Sequence, residues 1–152
     1  MTVGSARDLL ARGNLLQVPV DVYAVAAFCN LQIYPSDDLP DKVSGLLYRG
    51  PARDVIVVNA RHSLARRRFT IGHEIGHWHF RNERISFKGI HREHRSDLEQ
   101  LVDHFSAELL MPAEPVQLEW SRGRGVRSLA RQFVVSRDAM RRRLQELELL
   151  SA

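Results

Sequence analysis

His73-Glu74-Ile75-Gly76-His77 restricts the folding of this chain more than any other stretch. On a helix, two histidines four residues apart share a face, and the residues from Ser63 to Phe80 carry helical apolar periodicity. On such a helix His73 and His77 can each present a ring nitrogen to one metal ion, with zinc the first candidate. Glu74, beside the first of them, is placed to take a proton from metal-activated water without ligating the metal. Gly72 and Gly76 are each about 1 kcal/mol worse than Ala inside a helix, so they ask for a close approach by another backbone or a substrate. Six of the seven histidines, His73, His77, His79, His91, His94 and His104, crowd into the middle of the chain.

A catalytic zinc needs a third protein ligand and an open position. The stretch Asp97 to Leu110 supplies candidates, because Leu98, Leu101, Val102, Phe105 and Leu109 form an apolar helical stripe. Beside that stripe, Glu99 and Asp103 lie four apart on a neighbouring one. Glu99 is assigned as the third ligand and Asp103 as the carboxylate that hydrogen-bonds a ligand histidine and sets its tautomer; the reverse assignment stays open. His79 points about 200° round the helix from His77, the wrong side for the same ion. His91 and His94 fall in a charged connection and read as solvent-exposed. His104 is a candidate for the rim of the cleft, as a donor to a developing oxyanion. Nitrogen and oxygen donors at this spacing also accept manganese or cobalt.

Upstream, Ser5 to Leu10 can open a short helix, and Asp21 is a good N-cap for a second running through Ala27 to a stop at Asn30. Leu31–Tyr34, Gly45–Tyr48 and Val55–Asn59 read as strands with short turn-rich connections. Such connections predict an antiparallel meander, since a parallel pair needs a crossover of about a dozen residues. The fold class expected is therefore α+β, a small antiparallel sheet packed on a zincin-like helical core that carries the HExxH pattern. A strand at Val55–Asn59, if at the sheet edge, can hold an extended substrate by strand addition.

Charge separates the tail from this body. Residues 1–120 hold 14 basic and 15 acidic side chains, and residues 121–152 hold 8 and 3, which together make the 22 and 18 of the whole chain. The tail predicts two helices, Val126–Phe133 and Arg137–Leu147, with Ser136 as N-cap, a helix-turn-helix-like pair packed on the first unit. The organisation expected is thus a unit over 1–120 that carries the zinc-type motif, which the family resemblance given below makes a zinc-peptidase domain, and a helical segment over 121–152, with Ser121–Gly125 the best linker candidate. Arg137, Arg141 and Arg142 are candidate nucleic-acid contacts, although Leu129, Phe133, Met140, Leu144 and Leu147 form an apolar set suited to docking. The longest apolar run, Val22–Cys29, is too short to cross a bilayer. The amino terminus shows no basic stretch leading into an apolar one, and the single cysteine cannot form an internal disulfide. No membrane role and a cytoplasmic location are expected.

Two blocks resemble a known family. Arg68-Phe69-Thr70-Ile71-Gly72-His73-Glu74-Ile75-Gly76-His77, followed by Phe105-Ser106-Ala107-Glu108-Leu109-Leu110-Met111-Pro112, is similar to the ImmA/IrrE family of bacterial and phage zinc metallopeptidases. Weaker likeness extends from about residue 8 to 150. Glu99 and Asp103 match the first and last members of the family's acidic pattern, whereas Leu101 and Val102 depart from it. The resemblance implies cleavage of a helix-turn-helix repressor encoded nearby, as in phage or mobile-element induction, or in some members a toxin paired with such an antitoxin. The competing expectation is a DNA-associated regulator or toxin component whose metal site is structural or non-proteolytic.

Overall fold

The computed structural model describes residues 5–82 and 95–152. His91 and His94 lie outside them. Ser5 begins helix α1 (Ala6–Arg12): its hydroxyl accepts from the Asp8 amide at 3.2 Å, and the Asp8 carboxylate accepts from the Ser5 amide at 3.1 Å. This reciprocal cap satisfies two donors that a helix start leaves orphaned. Asp21 caps α2 (Val22–Phe28) by accepting from the Tyr23 and Ala24 amides at 3.0 and 3.1 Å. Asn30, at φ 59°, turns the chain out of that helix, in the left-handed region Asn tolerates better than most residues.

Three strands follow, β1 (Gln32–Ser36), β2 (Gly45–Arg49) and β3 (Asp54–Asn59), in the order β1-β3-β2. The expected meander is corrected here: β2 and β3 pair antiparallel, but β1 pairs with β3 in parallel. The short-loop argument applied only to consecutive strands. Residues 37–53, β2 among them, provide the long connection that a parallel β1–β3 pair requires. β3 is therefore the central strand, flanked on both sides, and it is not available for strand addition as the sequence had suggested. The buried Asn59 side chain pins the loop before β2 by donating to the Pro40 and Val43 carbonyls at 3.2 and 3.0 Å.

Ser63 caps the long helix α3 (Leu64–Asn82), which packs against α4 (Arg95–Leu110). Gly72 and Gly76 make that packing possible. A Cβ at Gly72 would stand 2.5 Å from Ser106 Oγ, and one at Gly76 3.1 Å from both Val102 and Phe105. The close approach the glycines allow is that of α4, whose Val102, Phe105 and Ser106 side chains come nearest. A further helix, α5 (Ala113–Ser121), was not anticipated from sequence. Pro112 and Pro115 suggest a break, yet Pro112 is the N-cap and Pro115 sits in the first turn, where a missing N–H removes no intrahelical bond.

Helices α6 (Val126–Phe133) and α7 (Arg137–Glu146) have the bounds expected to within a residue. The Ser121–Gly125 connection is fastened: Glu119, itself buried, accepts from Arg122 and Arg124, each at 2.8 Å. Val134, between α6 and α7, lies at φ 54°, an unfavourable conformation for a β-branched residue. One apolar core holds Leu9, Leu10, Ile56, Ile71, Ile75 and Leu109 together with Leu129, Phe133, Met140 and Leu144 from the tail. The chain is thus α+β, seven helices and one small mixed sheet among the described residues.

Candidate metal centre

α3 and α4 bring His73, His77 and Glu99 together. One ligand atom of each lies within 4.8 Å of the others. His73 Nε2 is 3.2 Å from one Glu99 oxygen, His77 Nε2 is 3.0 Å from the other, and the two Nε2 atoms are 3.1 Å apart. Zinc–ligand bonds of about 2.0–2.1 Å in a tetrahedron place ligand atoms roughly 3.3 Å from one another, close to these separations.

Asp103 holds His73 from behind, accepting from Nδ1 at 2.8 Å. A proton on Nδ1 leaves Nε2 with a bare lone pair. That lone pair faces a carboxylate oxygen and a second ring nitrogen, so electron pairs converge where a cation would relieve their repulsion. The donor set, two imidazoles and a carboxylate, is the chemistry of a zinc site with an open position. Burial holds His77 below the ordinary imidazole range against the opposing pull of Glu99, which favours the neutral, ligating form.

Glu74 stays out of this cluster and is buried, while the Glu99 and Asp103 side chains are about half exposed. Burial pushes the Glu74 carboxyl up, with His73 opposing, Glu99 adding to the rise and Arg81 opposing. A raised carboxyl is suited to exchanging protons near neutrality. His73 and Glu74 line a hollow of about 270 Å³ with Ser44, Gly45, Phe69 and Thr70. Gly45 is required there, because a Cβ would come within 2.6 Å of Thr70 and of the Val57 carbonyl oxygen. β2, an edge of the sheet, consequently begins beside the metal centre.

The remaining histidines are placed elsewhere. His79 is buried and stacks on Phe105 with ring centroids 4.9 Å apart. His104 is outside the donor cluster; its nitrogens lie 3.7 Å from Glu108 and 3.9 Å from Glu146. It lines a second, larger cleft with Asp103 and Arg142. Arg137 and Arg141 are exposed on α7. Sequence reasoning had not singled out Arg66, which lines that cleft and donates to Ser44 Oγ at 3.1 Å. Its signal was the helical spacing, since Arg66, Thr70, His73 and His77 recur on one side of α3. Leu101 is exposed, and Val102 is the buried residue against Gly76. Among the described residues no helix is long and apolar enough to cross a membrane.

A solved structure, a Mycobacterium tuberculosis transcriptional regulator, shares the fold with a TM-score of 0.72 at 18% identity, over 92% of this chain and 44% of that one. The present chain thus spans less than half the length of that regulator. No curated protein matches it. A family model described as the IrrE N-terminal-like domain, Peptidase_M78, matches residues 30–145, which contain β1 to β3, the metal centre and most of the tail. The chain belongs to the IrrE N-terminal-like Peptidase_M78 family.

Proposed function

We propose that the protein is a zinc-dependent endopeptidase that cleaves a cytoplasmic regulatory protein of the helix-turn-helix repressor or antitoxin type. The observation that carries the metal half of this reading is the convergence of His73 Nε2, His77 Nε2 and the Glu99 carboxylate, with His73 held by Asp103. Family membership supports peptide hydrolysis, and the family resemblance suggests the class of target. When bound, zinc supplies Lewis acidity toward water and toward a peptide carbonyl. His73 and His77 hold it from one face of α3, and Glu99 holds it from α4. Asp103 keeps the His73 proton on Nδ1, so that Nε2 remains a ligand. Glu74 removes the proton of the attacking water and returns it to the leaving amine. The outer edge of β2 offers backbone donors and acceptors to an extended substrate beside Glu74; this role moves from β3, where the sequence had put it.

The test is co-expression with the repressor encoded nearby. Glu74→Gln is expected to keep its bound metal and to lose cleavage by about 10²–10⁴-fold, while His73→Ala loses the metal by elemental analysis. A Glu74→Gln protein that cuts at the wild-type rate would sink the mechanism.

A second reading, DNA association through a helix-turn-helix-like α6–α7 pair, is favoured by Arg137 and Arg141, which are exposed. If they meet phosphates, affinity for duplex DNA falls steeply with salt in a gel-shift series. A flat response rejects it.

A further inference from the structure

Beyond the metal centre lies a cleft of about 680 Å³, room for several side chains of a peptide. Its walls are the start of α3, the outer side of α4 and one side of α7. The cleft adjoins the catalytic hollow, since Phe69 lines both and Asp103, one of its wall residues, is bonded to His73. A chain lying across the metal centre therefore has its continuation here on one side of the scissile bond.

Half of the six formal charges that line the cleft, Asp103, Arg143 and Glu146, are already engaged. Asp103 accepts from His73, and Glu146 pairs with Arg143 at 3.3 Å. Arg143 also donates from Nε to the Met111 carbonyl at 2.8 Å. Among the described residues the Arg66 guanidinium has a neutral hydroxyl, that of Ser44, as its partner. Arg142 is exposed and, among the described residues, makes no ion pair, even with Asp138 one turn earlier on α7; among the same residues Asp138 is the one carboxylate of the wall left uncommitted. Two guanidinium groups, on α3 and on α7, thus face the space against a single free carboxylate. Guanidinium recognises carboxylate in a forked, directional pair.

We propose that this cleft takes the substrate segment on one side of the scissile bond, and that Arg142, with Arg66, selects an acidic side chain in that segment. The proposal rests on the peptidase reading for the word substrate, and its charge selection is measurable without turnover. It also separates Arg142 from Arg137 and Arg141: α7 gives one side to the cleft and leaves another to solvent.

The experiment uses the full chain carrying Glu74→Gln, loaded with zinc, immobilised and offered a degenerate decapeptide library read by mass spectrometry. Retained peptides are expected to be enriched several-fold in Asp and Glu over Lys and Arg. Arg142→Gln in the same background removes that enrichment, and Arg142→Glu reverses it. Arg127→Glu, the same charge change on an exposed residue outside the cleft, leaves it intact. An acidic preference that survives Arg142→Glu, that Arg127→Glu abolishes equally, or that is absent from the start overturns the proposal. Wild-type protein is then given the retained peptides. Charge selection without cleavage overturns the peptidase reading and leaves the cleft standing; cleavage without charge selection does the reverse.

Discussion

At the scale of single residues, Glu99 and Asp103, the two α4 carboxylates at the candidate metal centre, differ in position. Glu99 places both oxygens against the two Nε2 atoms, whereas Asp103 touches only the far side of His73. Asp103→Ala is expected to weaken zinc affinity by about 10–100-fold in chelator competition, and Glu99→Ala to weaken it more. A larger loss from Asp103→Ala would reverse the assignment. Gly72 has a different constraint, since its missing Cβ makes room for Ser106 Oγ. Gly72→Ala should destabilise by about 1–3 kcal/mol despite the better helix propensity of Ala. Adding Ser106→Ala removes the obstructing oxygen and should recover most of the loss in thermal melts. Cys29 is buried, and burial pushes its thiol up to about 11. The folded chain then keeps this proton where an unfolded one has lost it, so stability is unaffected by Cys29 below about pH 8. It falls between about pH 9 and 11, by on the order of 2 kcal/mol. Alkylation of Cys29 at pH 8 should be slow in the native protein and rapid in denaturant.

At the scale of elements, the α6–α7 turn shows how backbone strain is held. Val134 sits at φ 54°, and Arg68, a buried residue of α3, donates to the Val134 and Phe133 carbonyls at 3.2 and 3.4 Å. Arg68 satisfies acceptors that the turn leaves open, and it ties that turn to the helix carrying His73 and His77. Arg68→Met keeps much of the apolar stem but strands these carbonyls, so a loss of about 1–3 kcal/mol is expected in denaturant titration. A neutral outcome would show that the turn holds itself. The sheet illustrates a different lesson. Each strand was legible to within about two residues at either end, because alternation and turn residues are local signals. Its strand order was not, because a pairing partner is chosen by burial across the chain. α5 was missed for the opposite reason: its two prolines are local signals that mark a helix start as readily as a break.

At the scale of the molecule, the net basic tail is part of the same core as the body that carries the His73, His77 and Glu99 cluster. Leu129, Phe133, Met140 and Leu144 are fully buried in the cluster that also holds Ile71, Ile75 and Leu109, and Arg143 donates into the body at Met111. A chain ending at Trp120 would expose that apolar surface, so it is expected to lose cooperative thermal unfolding, while the full chain unfolds in one transition. A truncated body with a sharp native-like melt would count against a shared core.

By itself the sequence determined which donors can meet: helical spacing puts His73 and His77 on one face with Glu74 beside them, and the next apolar stripe carries Glu99 and Asp103. It also determined most helix bounds, through caps such as Ser5, Asp21 and Ser136. Only the tertiary structure decided that Gly72 and Gly76 receive α4, that β2 and not β3 is the edge beside Glu74, and that Arg142 turns into the cleft while Arg137 and Arg141 lie outside it. The physical reason is range. Caps and helical faces are written within a few residues of chain, whereas close approach, sheet order and the sorting of like charges between cleft and solvent arise from segments far apart in sequence competing for the same buried space.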